Sequence, residues 1–394
     1  MNGFVIENGV LLKYNGQDEC VCVPEGVVSI GPYAFCDLHF ITSVTLPASL
    51  TAIESGAFAR CSRLEHISLP AALRTVGEVA FAMCTGLTEL LLPPSVTEIR
   101  GGAFEDCTGL VALTLPHALT AVEEMTFNGC VRLESVVLPP TLTALRSCAF
   151  AGCESLKSIE IPKTVCEIAG DAFAECTALS AIAVDADNAA YTSVAGVLYN
   201  KSVTEMIVYP LGKADARPTI PDTVTSIPPR TFCGCRHLTA VTLPAALTAL
   251  REELFAGCVG LTEITVPDAV STVCQRAFAD CCNLASVVLP VTVTRIHAEA
   301  FAFCDSLQTV YYKGSKQDFD PCGAAANGYW EGKMRIGNSL YDLEQRERAY
   351  CNGGLRVDDL NDALLAADWY YYSETAPAVA GNLWHELDGV PVKW

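Results

Sequence analysis

The chain repeats one pattern of apolar and polar positions. Phe35, Phe58, Phe81, Phe104, Phe127, Phe150 and Phe173 are each 23 residues apart, and Phe232, Phe255, Phe278 and Phe301 resume the step after a gap. Twelve residues after each phenylalanine stands a proline, from Pro47 to Pro162 and again at Pro244, Pro267 and Pro290; Pro24 and Pro221 open the two runs. Three residues after the phenylalanine stands a cysteine in ten of eleven units, with Leu38 the exception. Leucines from Leu64 to Leu307 and aliphatics such as Ile67, Leu113, Ile159 and Ile264 fill two further columns.

One unit therefore reads LxxIxLPxxVxxIxxxAFxxCxx. The LxxIxL part alternates apolar and polar positions, which predicts a short strand. Proline ends it, because it has no N–H for a ladder. In VxxIxxxAFxxC the apolar positions are three to four apart, which predicts a helical or 3-10 turn on the opposite side. A single unit cannot bury its own apolar side, so the units must stack and share one core. Stacking turns the phenylalanines into a column of rings and the cysteines into a column of buried thiols.

The unit, as in LEHISLPAALRTVGEVAFAMCTG, resembles the 23-residue repeat of the BspA-like family of bacterial leucine-rich-repeat proteins over about residues 24–313. The resemblance implies an α/β solenoid: a right-handed superhelix with parallel strands on one face and helical or 3-10 turns on the other. It also implies a bacterial surface protein, since some members are adhesins that bind host matrix proteins. The segment SVAGVLYNKSVTEMIVYPLGK between the two runs and the tail YYYSETAPAVAGNLWHELDGVPVKW are similar to pieces found in the same family. The asparagine that caps the inner turn in many other leucine-rich repeats has no counterpart here; Ala72 and Ala118 lie near that place.

Punctuation divides the chain into five parts. Residues 1–23 are expected to form a hairpin cap, 24–184 a first array, 185–220 a hairpin insert, 221–313 a second array and 314–394 a C-terminal cap. The insert hairpin is predicted from Val194–Tyr199 and Met206–Tyr209 joined by Asn200-Lys201-Ser202. In the tail, Asp342–Tyr350 and Val357–Ala367 read as helices and Tyr370-Tyr371-Tyr372 as a strand. Trp330, Trp369, Trp384 and Trp394 all fall there, as cover for the last rung.

Composition and charge narrow the function. The net charge is −20, so nucleic acid is not an expected partner, since phosphate contacts need clustered Lys and Arg. No apolar run is long enough to span a bilayer. The opening residues carry no secretory signal, which leaves a cytoplasmic location or a signal already removed. Twenty cysteines suggest redox or metal chemistry until half of them fall into one inward column, where cysteine acts as a small hydrophobe. Cys20-Val21-Cys22 and Cys233-Gly234-Cys235 lack the second pair a zinc site needs.

No phosphate loop, HExxH or GxSxG is present. His39, His66, His117, His237, His297 and His385 fall at unrelated repeat positions. Asp185, Asp187 and Asn188 crowd a loop but lack the glycine and distal glutamate of a calcium loop. No catalytic, cofactor or metal site is expected.

The remaining candidate is the outward side of the strands, where solenoids usually bind. We take Glu65, His66, Ser68, Thr88, Glu89, Leu91, Lys157, Glu160, Thr242, Glu263, Thr265 and Tyr311 as its candidate residues, with Val137 and Val288 as further apolar spots. The expected partner is a protein or glycan, such as a host matrix protein, bound by a monomer at the cell surface. A cytoplasmic interaction scaffold of the same fold is the alternative, and abundant free cysteine fits its reducing compartment.

Overall fold

The computed structural model describes residues 3–314, 356–357, 363–364, 367–372, 382–387 and 390–393. The chain divides into two compact units. The first comprises Met1–Ser202 and Ile207–Lys213, the second Val203–Met206 and Ala214–Trp394. Each is a β-solenoid in which one 23-residue repeat makes one rung.

A rung has three sides. The LxxIxL segment forms the longer strand, as in Ser43–Thr45 and His66–Ser68 of the first unit and Glu263–Thr265 and Ser286–Leu289 of the second. These pair in parallel with a shift of one repeat, Val44 opposite Ile67 and Ile264 opposite Val287. Proline then opens a tight turn whose carbonyl accepts the N–H three residues on, as Pro47 does from Leu50 at 3.1 Å.

The second side corrects the expectation from the sequence. The VxxI segment is a second parallel ladder of two-residue strands, Ser29–Ile30, Ala52–Ile53, Thr75–Val76 and Glu98–Ile99 among them. The AFxxC segment that follows is a run of turns, and no helix occurs among the described residues of the repeats. The expected helical or 3-10 face is absent for a local reason. The residue two places after each repeat phenylalanine has a left-handed φ, from Asp37 at 62° to Phe303 at 58°. Ten of the eleven residues two places before it do as well, including Tyr33 at 56° and Val79 at 47°. A right-handed helix tolerates no such alternation. Gly129, Gly152, Gly234 and Gly257 take the later position at low steric cost.

The alternation also redirects the amides. Ala34 donates to its own turn, to the Gly31 carbonyl at 3.2 Å. Phe35 and Asp37 donate across to the next rung, to the carbonyls of Ala57 at 2.8 Å and Ala59 at 2.9 Å. The turn side is thus a third set of bonds between rungs. Apolar spacing of three to four marks which residues face the core but does not reveal where the amides go.

The core is the two predicted columns. In the first unit, Phe35 to Phe173 stack with centroids 4.9–5.7 Å apart and planes within 3–11°. Tyr14 and Phe4 extend the stack onto the hairpin Phe4–Glu7 and Val10–Tyr14. Phe232 to Phe301 stack likewise in the second unit. Beside the rings, each column cysteine from Cys61 to Cys176 donates its thiol to the phenylalanine carbonyl one rung earlier. Cys107 reaches Phe81 O at 3.1 Å and Cys281 reaches Phe255 O at 3.1 Å. That carbonyl already accepts one amide from its own turn, so the thiol fills its second lone pair. Cysteine suits the position because it is small, apolar and still a weak donor.

The cap that the missing asparagine supplies elsewhere is met by hydroxyls two residues after the proline. Ser49 donates to Val27 O at 2.8 Å, Ser95 to Leu73 O at 2.7 Å and Thr292 to Val270 O at 2.8 Å. Ala72 and Ala118 are gaps in this ladder.

In the insert, Tyr191–Val194 pairs antiparallel with Val197–Asn200. The tight turn therefore lies at Ala195-Gly196, inside the segment read as one strand, and Gly196 has φ 82°. Asn188 is the buried anchor of this region and is only 1% exposed. Its amide donates to Pro162 O at 2.8 Å and Val165 O at 3.0 Å, and its oxygen accepts from the Ala190 and Tyr191 amides, both at 2.8 Å. With both ends used, the side chain serves the backbone and is not a calcium ligand. Asn188→Ala would strand four buried groups and is expected to lower stability by about 3 kcal/mol, read from chemical denaturation.

In the second unit the ladder outlasts the sequence period. Asp368–Tyr372 adds in parallel to Thr309–Tyr312, and Leu383–Leu387 pairs with it in turn. Arg356–Val357 pairs in parallel with Arg295–Ile296, so Val357 starts as strand where a helix was expected. Trp384, 1% exposed, donates its indole N–H to Tyr312 O at 3.0 Å. The expected helix at 342–350, Trp330 and Trp394 lie outside the described residues.

Candidate functional site

The candidate residues fall on the outward side of the longer strands, and pairing sets their register. In the first unit His66 stands beside Ser43, and Ser68 beside Thr45. Glu89 bridges to Ala112, and Thr114 pairs with Val137, so Leu91, Thr114 and Val137 form one column. Glu65, Thr88, Lys157 and Glu160 are exposed on the same side. Parallel strands are about 4.8 Å apart, which puts Leu91 and Val137 about 10 Å apart. Leu91 is 89% exposed and Val137 59%. Apolar side chains this open, in one row among small polar neighbours, are affordable only singly on a solvated surface.

Charges on this side are paired along the stack. Lys157 donates to the Glu134 carboxylate one rung earlier at 2.7 Å. That hydrogen bond and charge hold the Glu134 carboxyl below its ordinary range. In the second unit Glu263 faces Arg217 at 3.5 Å. There Thr242 and Thr265 are exposed, but the apolar spots are covered. Val288 is 6% exposed, and Tyr311 is half-buried with its ring edge-on to Trp384 at 5.4 Å. The open part of the candidate face is therefore the Leu91–Val137 column of the first unit.

Position 91 also marks a discontinuity. The longer-strand ladder runs from Cys20–Cys22 through Ser43–Thr45 to His66–Ser68 and then stops, and the next rung contributes only the bridge at Glu89. On the two-residue strands of the same unit a cavity of about 310 Å³ opens between two rungs. Thr97, Glu98, Ile99 and Arg100 form one lip, Thr120 and Glu123 part of the other. Sequence reading passed over these residues because their columns keep the period without a break.

Among the described residues no three His, Cys, Asp or Glu side chains converge as metal ligands. No described helix is long and apolar enough to cross a membrane. All eighteen described cysteines are free.

The BspA type leucine rich repeat region matches in six copies over residues 14–134, 102–208 and 216–322. A leucine rich cell surface protein of Faecalibacterium prausnitzii A2-165 is 31% identical, with a TM-score of 0.70; the match covers 80% of this chain and 93% of that one. A leucine-rich repeat protein of Bacteroides ovatus is 27% identical, with a TM-score of 0.57, covering 79% and 86%. The pneumococcal vaccine antigen PcpA shares the fold at 18% identity, with a TM-score of 0.57 over 95% and 93% of the two chains. No protein of curated function matches the chain. Six repeat copies spread over most of the sequence, on a stack of 23-residue rungs, place this chain in the BspA-type leucine-rich-repeat family.

Proposed function

We propose that the chain is a non-enzymatic recognition protein of the bacterial cell surface. Its longer-strand face binds a protein or glycan in adhesion. The observation that carries this reading is the Leu91–Thr114–Val137 column, two exposed apolar side chains in strand register among small hydroxyl and acidic neighbours. Interfaces draw their energy from a few such anchors set in a polar surround. The surface location rests on the family and on the cell surface protein of F. prausnitzii that it resembles.

The test is capture of the chain on immobilised host matrix proteins and on a glycan array. Leu91→Glu and Val137→Glu are each expected to cut binding at least tenfold with an unchanged melting temperature, because both side chains stand in solvent. Full binding by both variants would refute this face.

One observation favours a cytoplasmic interaction scaffold instead. Cys20, Cys22 and Cys166 are exposed and free, which suits a reducing compartment. Fractionation of the native bacterium separates the two locations, and protein confined to the cytosol would end the adhesion reading.

A further inference from the structure

The two-residue ladder of the first unit is bonded at every junction except one. On the near side of the exception, Thr97 N donates to Arg74 O at 2.9 Å and Arg100 N to Val76 O at 3.0 Å. On the far side, Thr143 N donates to Thr120 O at 2.7 Å and Arg146 N to Val122 O at 3.0 Å. Between Glu98–Ile99 and Ala121–Val122 no backbone hydrogen bond crosses. The donors due at this junction are the amides of Thr120 and Glu123, and the acceptors are the carbonyls of Thr97 and Ile99. All four residues line the 310 Å³ cavity.

A second observation explains why the rungs part here. At the proline corner a hydroxyl normally ties each rung to the one before: Ser95 to Leu73 O at 2.7 Å, Thr141 to Leu119 O at 2.8 Å, Thr164 to Leu142 O at 2.6 Å. At this junction the position is Ala118, which has no hydroxyl to offer Val96. The turn side stays closed, with Gly102 N on Glu124 O at 2.8 Å and Phe104 N on Thr126 O at 2.9 Å. The opening is therefore a local wedge, not a separation of the stack.

The chemistry of the lips selects a ligand class. One lip offers carbonyl acceptors and the other amide donors. Only a group that accepts and donates at the same atom satisfies both, and a hydroxyl does so. Interposing one oxygen in an N–H···O contact widens it by about 2.8 Å. An extended peptide would need a full extra strand spacing of about 4.8 Å, which the closed turn side opposes. At the rim, Glu98 and Glu123 accept further hydroxyls. Arg100 is held by Glu98, its Nε 2.8 Å from the carboxylate. Two carboxylates against one guanidinium disfavour an anion. The volume matches the small end of ligand pockets.

We propose that this cleft binds a single pyranose residue, its vicinal hydroxyls bridging the Thr120 and Glu123 amides to the Thr97 and Ile99 carbonyls. The site lies on a different side of the rung from the Leu91–Val137 column and stands apart from the recognition role proposed for that face.

The test titrates the isotope-labelled full chain with methyl pyranosides of glucose, galactose, mannose and N-acetylglucosamine, following amide resonances by NMR. At least one glycoside is expected to shift the Thr120 and Glu123 amides saturably. Ala118→Thr restores the corner hydroxyl and is expected to raise the melting temperature and weaken that binding at least tenfold. Glu123→Ala, which leaves the corner untouched, is expected to weaken it several-fold, and Leu91→Glu to leave it unchanged. The proposal is overturned if no glycoside moves the two amides, which would make the cleft a water site. It is equally overturned if Ala118→Thr stabilises the fold while binding persists at full strength.

Discussion

Between pH 8.5 and pH 10.5 the first unit is expected to unfold at room temperature, after holding its stability from pH 7 to 8.5. The cause is the thiol column. Burial pushes the Cys61 thiol up to about 12, and those of Cys84, Cys107 and Cys130 well above the ordinary 9.0. The Cys153 thiol is raised by its hydrogen bond with Cys176 and then by burial. A folded-state value above the unfolded one means that the native state keeps a proton the unfolded chain releases. This contribution is complete below the unfolded value near 9 and is lost as pH climbs toward 12. Each such thiol costs about 1.4 kcal/mol per pH unit in that window. Five acting together would remove about 7 kcal/mol per pH unit, against a total stability of about 5–15 kcal/mol for a domain. Circular dichroism melts at half-unit steps of pH measure the slope. Cys107→Val keeps the volume and removes one titrating group, so the slope should fall by about 1.4 kcal/mol per pH unit. A melting temperature that stays flat to pH 10.5 would show that the thiols are not held neutral inside the stack.

That column illustrates what could be read from the residues and what could not. The 23-residue step, the inward phenylalanines and the inward cysteines are all apolar periodicities, and burial is what apolar periodicity reports. The bond each thiol makes to the preceding phenylalanine carbonyl is not, because it depends on backbone direction within the turn. The same limit produced the mistaken helix. Ala57 and Phe58 have helix-compatible spacing, yet Gly56 and Arg60 on either side take φ of 63° in the opposite hand. Only Gly56 hinted at this in the sequence, and Arg60 gave no hint. Ser49, Ser95 and Thr141 were legible as polar positions but not as rung-to-rung ties, since a hydroxyl on a surface column looks the same whether or not it meets a carbonyl.

The binding surfaces were legible to a lesser degree. Alternation within LxxIxL correctly put His66, Glu89 and Lys157 outside, because a strand has only two sides. It could not show that Tyr311 is half-covered by Trp384, which lies 73 positions away in a tail with no repeat signal. Nor could it show the cleft at Thr97 and Thr120. There the period is intact, and what changes is the absence of bonds between two rungs that look like any others. Ala118 was noticed only as the place of a missing asparagine, whereas its consequence is structural and local to one junction.

Phe127→Ala is expected to cost about 3–5 kcal/mol, the range for removing a fully buried aromatic ring. Phe127 has no exposed surface and stacks on Phe104 at 5.5 Å and Phe150 at 5.4 Å. Its position within the stack matters as much as its burial. In a solenoid each rung is stabilised chiefly by its two neighbours, so a defect at the end can be relieved by fraying. A defect at Phe127 has three intact phenylalanine contacts of the column on the N-terminal side and two more on the C-terminal side before the stack ends. It cannot fray away without breaking the unit in two. For a unit of this size the loss corresponds to a melting temperature lower by roughly 10–15 °C. Phe127→Leu, which refills most of the void, should recover more than half of it. The equivalent change at Phe4, beyond the last repeat ring and partly exposed, should cost well under half as much. If Phe4→Ala and Phe127→Ala proved equally destabilising, the rings would not be acting as a nearest-neighbour stack, and the coupling between rungs would have to reside in the backbone ladders instead.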